Sequence, residues 1–469
     1  MPRIPADQVR FHPHSFADPA GRLFWWNGEL YRGLRADSAA LFRRLFREGT
    51  LKRLSEEGLL IDTWATDLRI DGYEMVVRHR VVPFASYPEE WCPAMLKDAA
   101  LTLLDLLIDL AHCGLTLKDS HPWNLLFDRG RALYVDLTSI TTIQNDQWRG
   151  YNEFRRFYLN PLILMAHNQE RIARRLLPEY EGVTEADVSA LTCGSQFARS
   201  LAAIIRRFKN ARCKDLSPGC HPQAHARLYG EPTDAEKTAA TNSLVRLFYE
   251  SKGDIEAINL LTGADIAGKA EDFGQSVSSP DSWTPTKRCV QDMFAHLNPA
   301  SVLDIGGASE GWYSWTVASR GSTAVTSSTD SALLTRLYAI AHRKRLPLLP
   351  VVMDFTGPTP SRGLCNHWSV AASERLKCDM VLALANIHQF VVQRSLRFDQ
   401  IVEGLASFSK RWLIAEFVPT EDNDVGSCRS HRVSEYTLDN FIFALRARFR
   451  DVTIVAGHRG PGILVLCEK

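Results

Sequence analysis

The feature that most constrains the fold is an apolar strand that runs directly into a glycine-rich turn. Residues 301–305 read Ser-Val-Leu-Asp-Ile, and Gly306-Gly307-Ala308-Ser309-Glu310-Gly311 follow before a helix that is predicted to begin near Trp312. A strand, a glycine-rich turn and a helix in this order allow backbone groups to approach a ligand at the carboxyl end of a sheet. A tight turn with no ligand would also explain these glycines, so the prediction of a ligand site depends on the residues that follow.

Strands and helices alternate regularly after this turn. Strands are predicted at 301–305, 323–327, 348–353, 380–384, 412–416 and 463–467, and helices at 331–343, 398–407 and 438–449. This alternation predicts a doubly wound α/β sheet. Residues 272–285 are small and polar and include two prolines, which is typical of a linker, so we place this domain at 281–469.

The first half of the chain has a different pattern, which predicts an α+β domain over residues 1–150. Aromatic-rich runs at 23–34 flank Asn27-Gly28, a dipeptide that favours a two-residue hairpin turn. The other predicted elements are a helix with its N-cap at Asp37, strands at 59–64 and 73–82, a core helix at 95–113 and a hairpin turn at 128–130. Residues 151–280 show helical periodicity and are predicted to form a helical extension and linker.

Polar side chains follow successive strands of the predicted α/β sheet. Ser328 and Asp330 follow the second strand, Asp354 and Phe355 follow the third, and His388 follows the fourth. Because the carboxyl ends of parallel strands meet at one edge, these residues are predicted to lie around the glycine-rich turn. A polar residue about 20 positions after the turn suits a ribose hydroxyl. A carboxylate after the third strand can accept a hydrogen bond from an adenine amino group.

With these motifs, the second half resembles a class I S-adenosylmethionine-dependent methyltransferase with a Rossmann-like fold. More narrowly, most of the chain is similar to the NoeA-like (nodulation protein) methyltransferases, through DIGGASEGWYS, LLPVVMDFTGPTPSRG, CDMVLALANIHQF and LIAEFVPTEDNDV. The resemblance implies S-adenosylmethionine as the cofactor. The implied contacts are Asp304, Gly306, Gly307 and Ala308 at the methionine end, Ser328 and Asp330 at the ribose, and Asp354 and Phe355 at the adenine.

Two residues depart from the class I pattern. Glu310 stands where glycine is usual, and Ser328 stands where a carboxylate is usual. A neutral hydroxyl lacks a charge-assisted hydrogen bond, typically worth ~1.5–3 kcal/mol. We therefore expect weaker cofactor affinity unless Asp330 contacts the ribose instead.

Methyl transfer needs a nucleophile in line with the methyl group and often a base that removes a proton. His388 is the predicted base because it titrates near neutral pH and follows the fourth strand. The alternative for His388 is capping a turn. Glu416, at the end of the fifth strand, is the second catalytic candidate, and the alternative for it is orienting a loop.

A second polar set lies in the first half. Asp119 is followed five residues later by Asn124, and Asp136 lies twelve residues further on. In phosphotransferases of the protein-kinase type, one Asp orients the accepting hydroxyl, while an Asn and a second Asp hold Mg²⁺ at spacings close to these. Residues 1–150 therefore resemble a kinase-like fold of the small aminoglycoside-phosphotransferase sort, which implies a site for ATP and Mg²⁺.

The kinase pattern is incomplete. No G-x-G-x-x-G motif lies near the N-terminus, and Arg32 stands where a lysine is expected. Arginine does not replace that lysine as a point charge. A degenerate, pseudokinase-like domain with a scaffold or substrate-docking role is therefore predicted, and a purely structural role for Asp119, Asn124 and Asp136 is the alternative.

Composition limits the partners. Lys and Arg total 55 against 54 Asp and Glu, so no bulk charge attracts nucleic acid, which is not an expected partner. The most apolar stretch, 96–117, contains Asp, Lys and His, so no membrane span is expected. Ten cysteines form neither a C-x-x-C pair nor a Cys/His cluster of zinc spacing, which indicates reduced thiols, a cytoplasmic location and no metal site.

The sequence thus predicts methyl transfer from S-adenosylmethionine to a small metabolite, a natural-product intermediate or a glycan. Two alternatives stay open. One is a bifunctional kinase/methyltransferase that forms a methyl phosphate on a glycan. The other is a non-catalytic scaffold or binding protein that retains both folds. The sequence selects neither the acceptor nor the oligomeric state.

Overall fold

The computed structural model describes residues 2–12, 15, 18–192, 233–260, 283–419, 435–455 and 462–469. The predicted domain boundary at 280/281 lies outside these residues, as does most of the predicted linker 272–285. The strands are β1 (Arg10–Phe11), β2 (Gly21–Trp26), β3 (Glu29–Leu34), β4 (Thr63–Ala65), β5 (Met75–His79), β6 (Leu115–Leu117), β7 (Leu125–Asp128), β8 (Arg131–Tyr134), β9 (Ile140–Thr142), β10 (Ser301–Ile305), β11 (Thr323–Ser328), β12 (Leu348–Val352), β13 (Cys378–Ala383), β14 (Ser409–Phe417), β15 (Asp451–Ile454) and β16 (Ile463–Glu468). The α-helices are Ala36–Arg47, Thr50–Glu56, Pro93–His112, Tyr151–Phe154, Asn160–Ala166, Glu170–Leu176, Glu185–Thr192, Asp234–Ala257, Pro285–Leu297, Ala308–Ser319, Ser331–Lys344, Ala372–Arg375, Ile387–Arg394, Phe398–Phe408 and Leu438–Arg446.

An antiparallel sheet in the order β1-β2-β3-β5-β4 opens the chain. Its β2–β3 hairpin turns at Asn27 and Gly28, whose φ angles of 49° and 79° suit a two-residue turn, as predicted. The predicted N-cap at Asp37 is wrong, because Arg35 is the N-cap and Asp37 lies in the first turn of the helix. The predicted strand 59–64 is largely wrong as well. The backbone of its first residues hydrogen-bonds Tyr134 instead of the sheet, and β4 begins at Thr63.

The Pro93–His112 helix forms the centre of the first half. Its buried stripe includes Leu96, Leu103 and Leu110, and the Asp234–Ala257 helix packs along it. Two short antiparallel pairs, β6–β9 and β7–β8, follow the helix and complete an α+β arrangement, as predicted. None of the helices in the described ranges is both long and apolar enough to cross a membrane.

The second half contains a seven-stranded sheet in the order β12-β11-β10-β13-β14-β16-β15. Strands β10 to β14 are parallel, whereas β16 runs antiparallel to both of its neighbours. Helices connect the parallel strands, which confirms the predicted Rossmann-like fold. The edge strand β15 was not predicted, because its side chains are mostly exposed and give no apolar signal. The chain extends from β10 to β12 and then returns to β13, so the topological switch point lies between β10 and β13.

The two halves share one hydrophobic core. The Phe127 ring of the first half packs edge-to-face on Tyr338 of the second, with ring centroids 5.7 Å apart. Arg375, almost fully buried, forms an ion pair with buried Glu90 and lies 4.2 Å from the centre of the Tyr87 ring. These contacts pack the α+β half directly against the Rossmann-like half.

Candidate functional site

The switch point brings the residues after β10 and β13 together. Asn386 Nδ2 donates to the Ile305 carbonyl oxygen at 2.7 Å, which links the two loops. Asn386 Oδ1 is buried and has no hydrogen-bond partner among the described residues. A Cβ on Gly306 would stand 3.2 Å from Nδ2 of the same amide. A buried acceptor thus lies where open α/β sheets bind ligands.

The glycine-rich turn has a left-handed backbone along most of its length. Gly306 and Gly307 have φ angles of 87° and 65°, and Ser309, Glu310 and Gly311 also have positive φ. A left-handed conformation costs an ordinary residue about 1–2 kcal/mol. Regular helix begins after Gly311, which agrees with the predicted start. Glu310, the departure from the class I pattern, is exposed.

Asp304, at the end of β10, is completely buried. Its Oδ2 accepts from Ser314 Oγ at 3.1 Å, and that hydroxyl accepts from Thr326 Oγ1 at 2.7 Å. The Ala308 backbone also hydrogen-bonds the carboxyl, whereas Oδ1 has no partner within the described ranges. Burial raises the pKa of Asp304 from 3.8 to about 7. A cationic ligand would stabilise this carboxyl, because an opposite charge favours its ionised form.

Ser328 and Asp330 lie after β11, as predicted. Ser328 is buried, and its Oγ accepts from the Asp330 backbone N–H at 3.1 Å. Asp330 is exposed, and its Oδ1 caps the following helix by accepting from Leu333 N at 3.0 Å. The Ser328 hydroxyl can therefore still donate a hydrogen bond, and Asp330 retains acceptor capacity.

Asp354 and Phe355 follow β12, and both have partners within the chain. Asp354 Oδ1 accepts from the backbone and the hydroxyl of Thr356, and Oδ2 accepts from Arg394 at 2.7 Å. The Phe355 ring is buried against Phe390, with centroids 5.1 Å apart. A carboxylate has about four acceptor positions, so an adenine contact at Asp354 remains a prediction, as it does for Phe355.

Glu416, on β14, supports the loop that leads to His388. Ala385 has a φ of 55°, and its backbone N–H donates to Glu416 Oε2 at 3.0 Å. Left-handed Ala385 is strained, and this hydrogen bond to a buried carboxyl stabilises it. His388 lies half-buried in the first turn of the next helix, three residues beyond Ala385. Glu416 thus hydrogen-bonds the loop after β13, and His388 follows that loop in the chain, whereas a catalytic role for either residue remains a prediction.

The predicted kinase-like set also comes together. Asn124 Nδ2 donates to Asp119 Oδ1 at 2.5 Å, and the Arg32 guanidinium lies 3.2 Å from Asp136 Oδ1. Burial raises the pKa of Asp119 to about 7, with help from the charges of Asp136 and Glu153. The four predicted residues thus form one partly buried cluster.

Arg32 has several partners in this cluster. Its side chain is 5% exposed, and it pairs with Asp18 at 3.0 Å and donates to Thr138. Thr138 Oγ1 in turn lies 2.8 Å from Asp136 Oδ1 and 2.6 Å from Asp18 Oδ2. A Mg²⁺ ion at Asp136 would have to compete with the Arg32 guanidinium. Across the described ranges, no group of three or more His, Cys, Asp or Glu side chains is placed to hold a metal ion.

Sequence patterns did not identify Asn386, Asp18 or Thr138 as parts of these sites. Asn386 lies two residues before His388, and its position after the fourth strand is a signal that could have identified it. Asp18 and Thr138 are 120 residues apart in the chain, so no local spacing connects them.

No family model matches the chain, but a comparison with curated proteins finds one relative. Nodulation protein NoeA of Rhizobium meliloti (strain 1021) is 26% identical over 467 residues, which cover 96% of this chain and 93% of that protein. Among solved structures, the bifunctional kinase-methyltransferase WbdD aligns over 42% of this chain and 40% of its own, at 16% identity and a TM-score of 0.28. Magnesium protoporphyrin IX methyltransferase (ChlM) from Synechocystis PCC 6803, with bound SAH, aligns over 43% of this chain and 94% of its own, at 12% identity and a TM-score of 0.27.

These two solved structures align with less than half of this chain, whereas the NoeA match extends through both halves. The resemblance to the NoeA-like proteins, which the sequence motifs indicate, is therefore confirmed over nearly the whole chain.

Proposed function

We propose that the chain transfers a methyl group from S-adenosylmethionine to a small molecule or a glycan. One observation carries the proposal: Asp304 and Asn386 each present a buried oxygen without a partner among the described residues, next to the glycine-rich turn. Buried acceptors are normally hydrogen-bonded. An ammonium group, such as that of the methionine moiety, would satisfy both.

The residues present fit this cofactor. Asp304 Oδ1 and Asn386 Oδ1 would accept from its ammonium group, and Gly306 would let the backbone approach it. Ser328 and Asp330 would bond the ribose hydroxyls. When bound, the cofactor supplies an electrophilic methyl group on a sulfonium.

The remaining roles belong to the loop after β13. His388 would accept the proton of the acceptor hydroxyl or amine as the new bond forms. Glu416 would act as a positioning residue, because its carboxylate holds the left-handed Ala385. Its loss would displace His388 without removing a proton acceptor.

Calorimetric titration of S-adenosylhomocysteine into dialysed protein tests this proposal. We expect one saturable site per chain and at least about tenfold weaker binding in Asp304→Asn. Asp379→Asn is the matched control. Asp379 lies at the start of β13, where the amino ends of the parallel strands meet, away from the switch point, and it accepts from Ala300 N at 3.0 Å. Absence of saturable heat in the unmodified protein would overturn the proposal.

For the first half, we propose a docking role without phosphate transfer. The supporting observation is the ion pair between Arg32 and Asp136, which places a fixed cation where the kinase pattern requires Mg²⁺. We expect no transfer of labelled phosphate from ATP to glycans in the presence of Mg²⁺. Label transfer that is lost in Asp136→Ala and retained in Asp146→Ala would contradict this role and favour the bifunctional alternative.

A further inference from the structure

A cavity of about 410 Å³ lies between the two halves, next to the Asp119 cluster. The first half supplies most of its lining, and Arg362, Trp368 and Ser369 of the second half complete it. Glu153 connects the cavity to the cluster, because it lines the cavity and also accepts from the Ser120 backbone N–H at 2.7 Å. The cavity is separate from the switch point, since neither β10 nor β13 contributes to its lining.

The second-half part of the lining has a defined conformation. Trp368 N donates to the Arg362 carbonyl at 2.9 Å and closes a short loop. Gly363, inside this loop, has a φ of 85°, and a Cβ there would stand 2.3 Å from the Trp368 ring. Only glycine therefore accommodates the ring in this position. The adjacent Val370 N–H donates to Tyr87 Oη at 2.9 Å, which attaches the loop to the first half.

The cavity is rich in aromatic side chains, two of which are largely exposed to solvent. Trp123, Phe157, Tyr180 and Trp368 all contribute to its lining. Tyr180 is 88% exposed and Trp368 is 60% exposed. Clustered exposed apolar surface marks binding sites. Aromatic faces beside polar groups suit a ligand that has an apolar C–H face and a hydroxylated edge.

The charges of the lining balance. Arg156 and Arg362 face a lining that also contains Glu153 and Glu179. The His121 ring, 4.4 Å from the Phe157 ring centre, adds no positive charge because burial lowers its pKa to about 4. The lining thus contains as many carboxyl groups as guanidinium groups, and it offers no excess of basic side chains to an anionic ligand.

We propose that this cavity binds a neutral saccharide, whose ring stacks on Trp368 and whose hydroxyls bond the carboxylates and guanidinium groups of the lining. Cavity composition, aromatic exposure and charge balance carry this inference. The binding does not depend on methyl transfer. Identifying the bound saccharide as the methyl acceptor rests on the proposed function.

An array of neutral oligosaccharides built from hexose and N-acetylhexosamine units, probed with the full chain, tests the proposal. ATP and hexose 6-phosphates serve as charged probes, and calorimetry then measures the affinity of the strongest array ligand. We expect Trp368→Ala to weaken that affinity at least about tenfold, and Trp368→Phe to restore most of it. Trp64→Ala is the matched control, because Trp64 is also exposed, at 44%, and lies outside the cavity.

Binding of a neutral oligosaccharide that is lost in Trp368→Ala and retained in Trp64→Ala supports the proposal. Failure of every neutral saccharide to bind, stronger binding of the charged probes, or unchanged affinity in Trp368→Ala would overturn it. Titration of S-adenosylhomocysteine on the same preparation separates the two proposals. If the protein binds S-adenosylhomocysteine but no neutral saccharide, only the saccharide proposal is overturned. If it binds a neutral saccharide but no S-adenosylhomocysteine, only the proposed methyl transfer is overturned.

Discussion

At the scale of single residues, Asp304 links cofactor binding to pH. Its pKa is raised to about 7 in the free protein, and a bound ammonium group would lower it, because the opposite charge favours the carboxylate. At lower pH, Asp304 must therefore lose a proton when the cofactor binds. We expect affinity for S-adenosylhomocysteine to fall below neutrality, approaching about tenfold per pH unit.

Equilibrium dialysis with labelled S-adenosylhomocysteine across about pH 5–8 measures this dependence. Asp304→Asn should bind more weakly and lose most of the slope, because the amide does not titrate. A slope that is the same in Asp304→Asn as in the unmodified protein would assign the pH dependence to another group.

Substitutions at Glu416 and His388 should distinguish a positioning residue, Glu416, from a catalytic base, His388. Glu416→Gln keeps an oxygen that can accept from Ala385 N–H, so we expect nearly unchanged turnover, whereas Glu416→Ala should lower it at least about tenfold. His388→Gln should lower kcat by about a hundredfold or more and flatten its pH profile. Steady-state rates with the acceptor provide the measurement. Equal losses in Glu416→Gln and Glu416→Ala would instead indicate that the charge of Glu416 takes part in the reaction.

Residue types predicted which positions lie at strand ends, and the structure places Asp304, Ser328 and Asp354 there. Residue types did not predict the partners of these side chains. Arg394, which pairs with Asp354, is 40 residues away in the chain, and only the packing of the helix after β13 brings it close. Asp18 and Arg32 are 14 residues apart, and the pairing of β2 with β3 brings them together.

At the scale of elements, the glycine-rich turn should tolerate no side chain at Gly307. A Cβ there would stand 2.7 Å from Leu333 Cδ2, and the φ of 65° is itself unfavourable for alanine. We expect Gly307→Ala to lower the free energy of unfolding by about 2 kcal/mol and to weaken cofactor binding. Gly357→Ala is the control, since nothing lies within 4 Å of its Cβ position.

Urea unfolding and cofactor titration of both variants measure these effects. If Gly307→Ala matches Gly357→Ala in both measurements, the tight left-handed turn does not support the cofactor site.

Strand periodicity predicted the parallel strands closely, because buried parallel strands are continuous apolar runs. It failed at β15 and at residues 59–62. The first is an exposed edge strand, and the second is an apolar segment whose backbone bonds Tyr134. In both places, tertiary surroundings determine the structure more than local pattern does.

At the scale of the whole molecule, the shared core predicts that the two halves unfold together. Glu90 is completely buried and pairs with Arg375, so Arg375→Met leaves an uncompensated buried carboxylate. We expect this variant to lose about 3–5 kcal/mol of unfolding free energy. Arg246→Ala, which removes an exposed ion pair with Glu250, should cost less than about 1 kcal/mol.

Differential scanning calorimetry and urea unfolding measure both variants. A single transition in the unmodified protein that shifts as a whole in Arg375→Met fits the shared core. Two independent transitions, of which only one shifts, would contradict it.

Composition and length indicated separate units, but no sequence pattern revealed this interface, because its residues come from distant segments that pair only in the folded chain.

The most direct test of the central claim is a crystal structure of the full chain with S-adenosylhomocysteine. We expect the ligand across the switch point between β10 and β13, with its ammonium group within hydrogen-bond distance of Asp304 Oδ1 and Asn386 Oδ1. A structure in which side chains of the protein fill that position, or in which the ligand binds elsewhere, would contradict the claim.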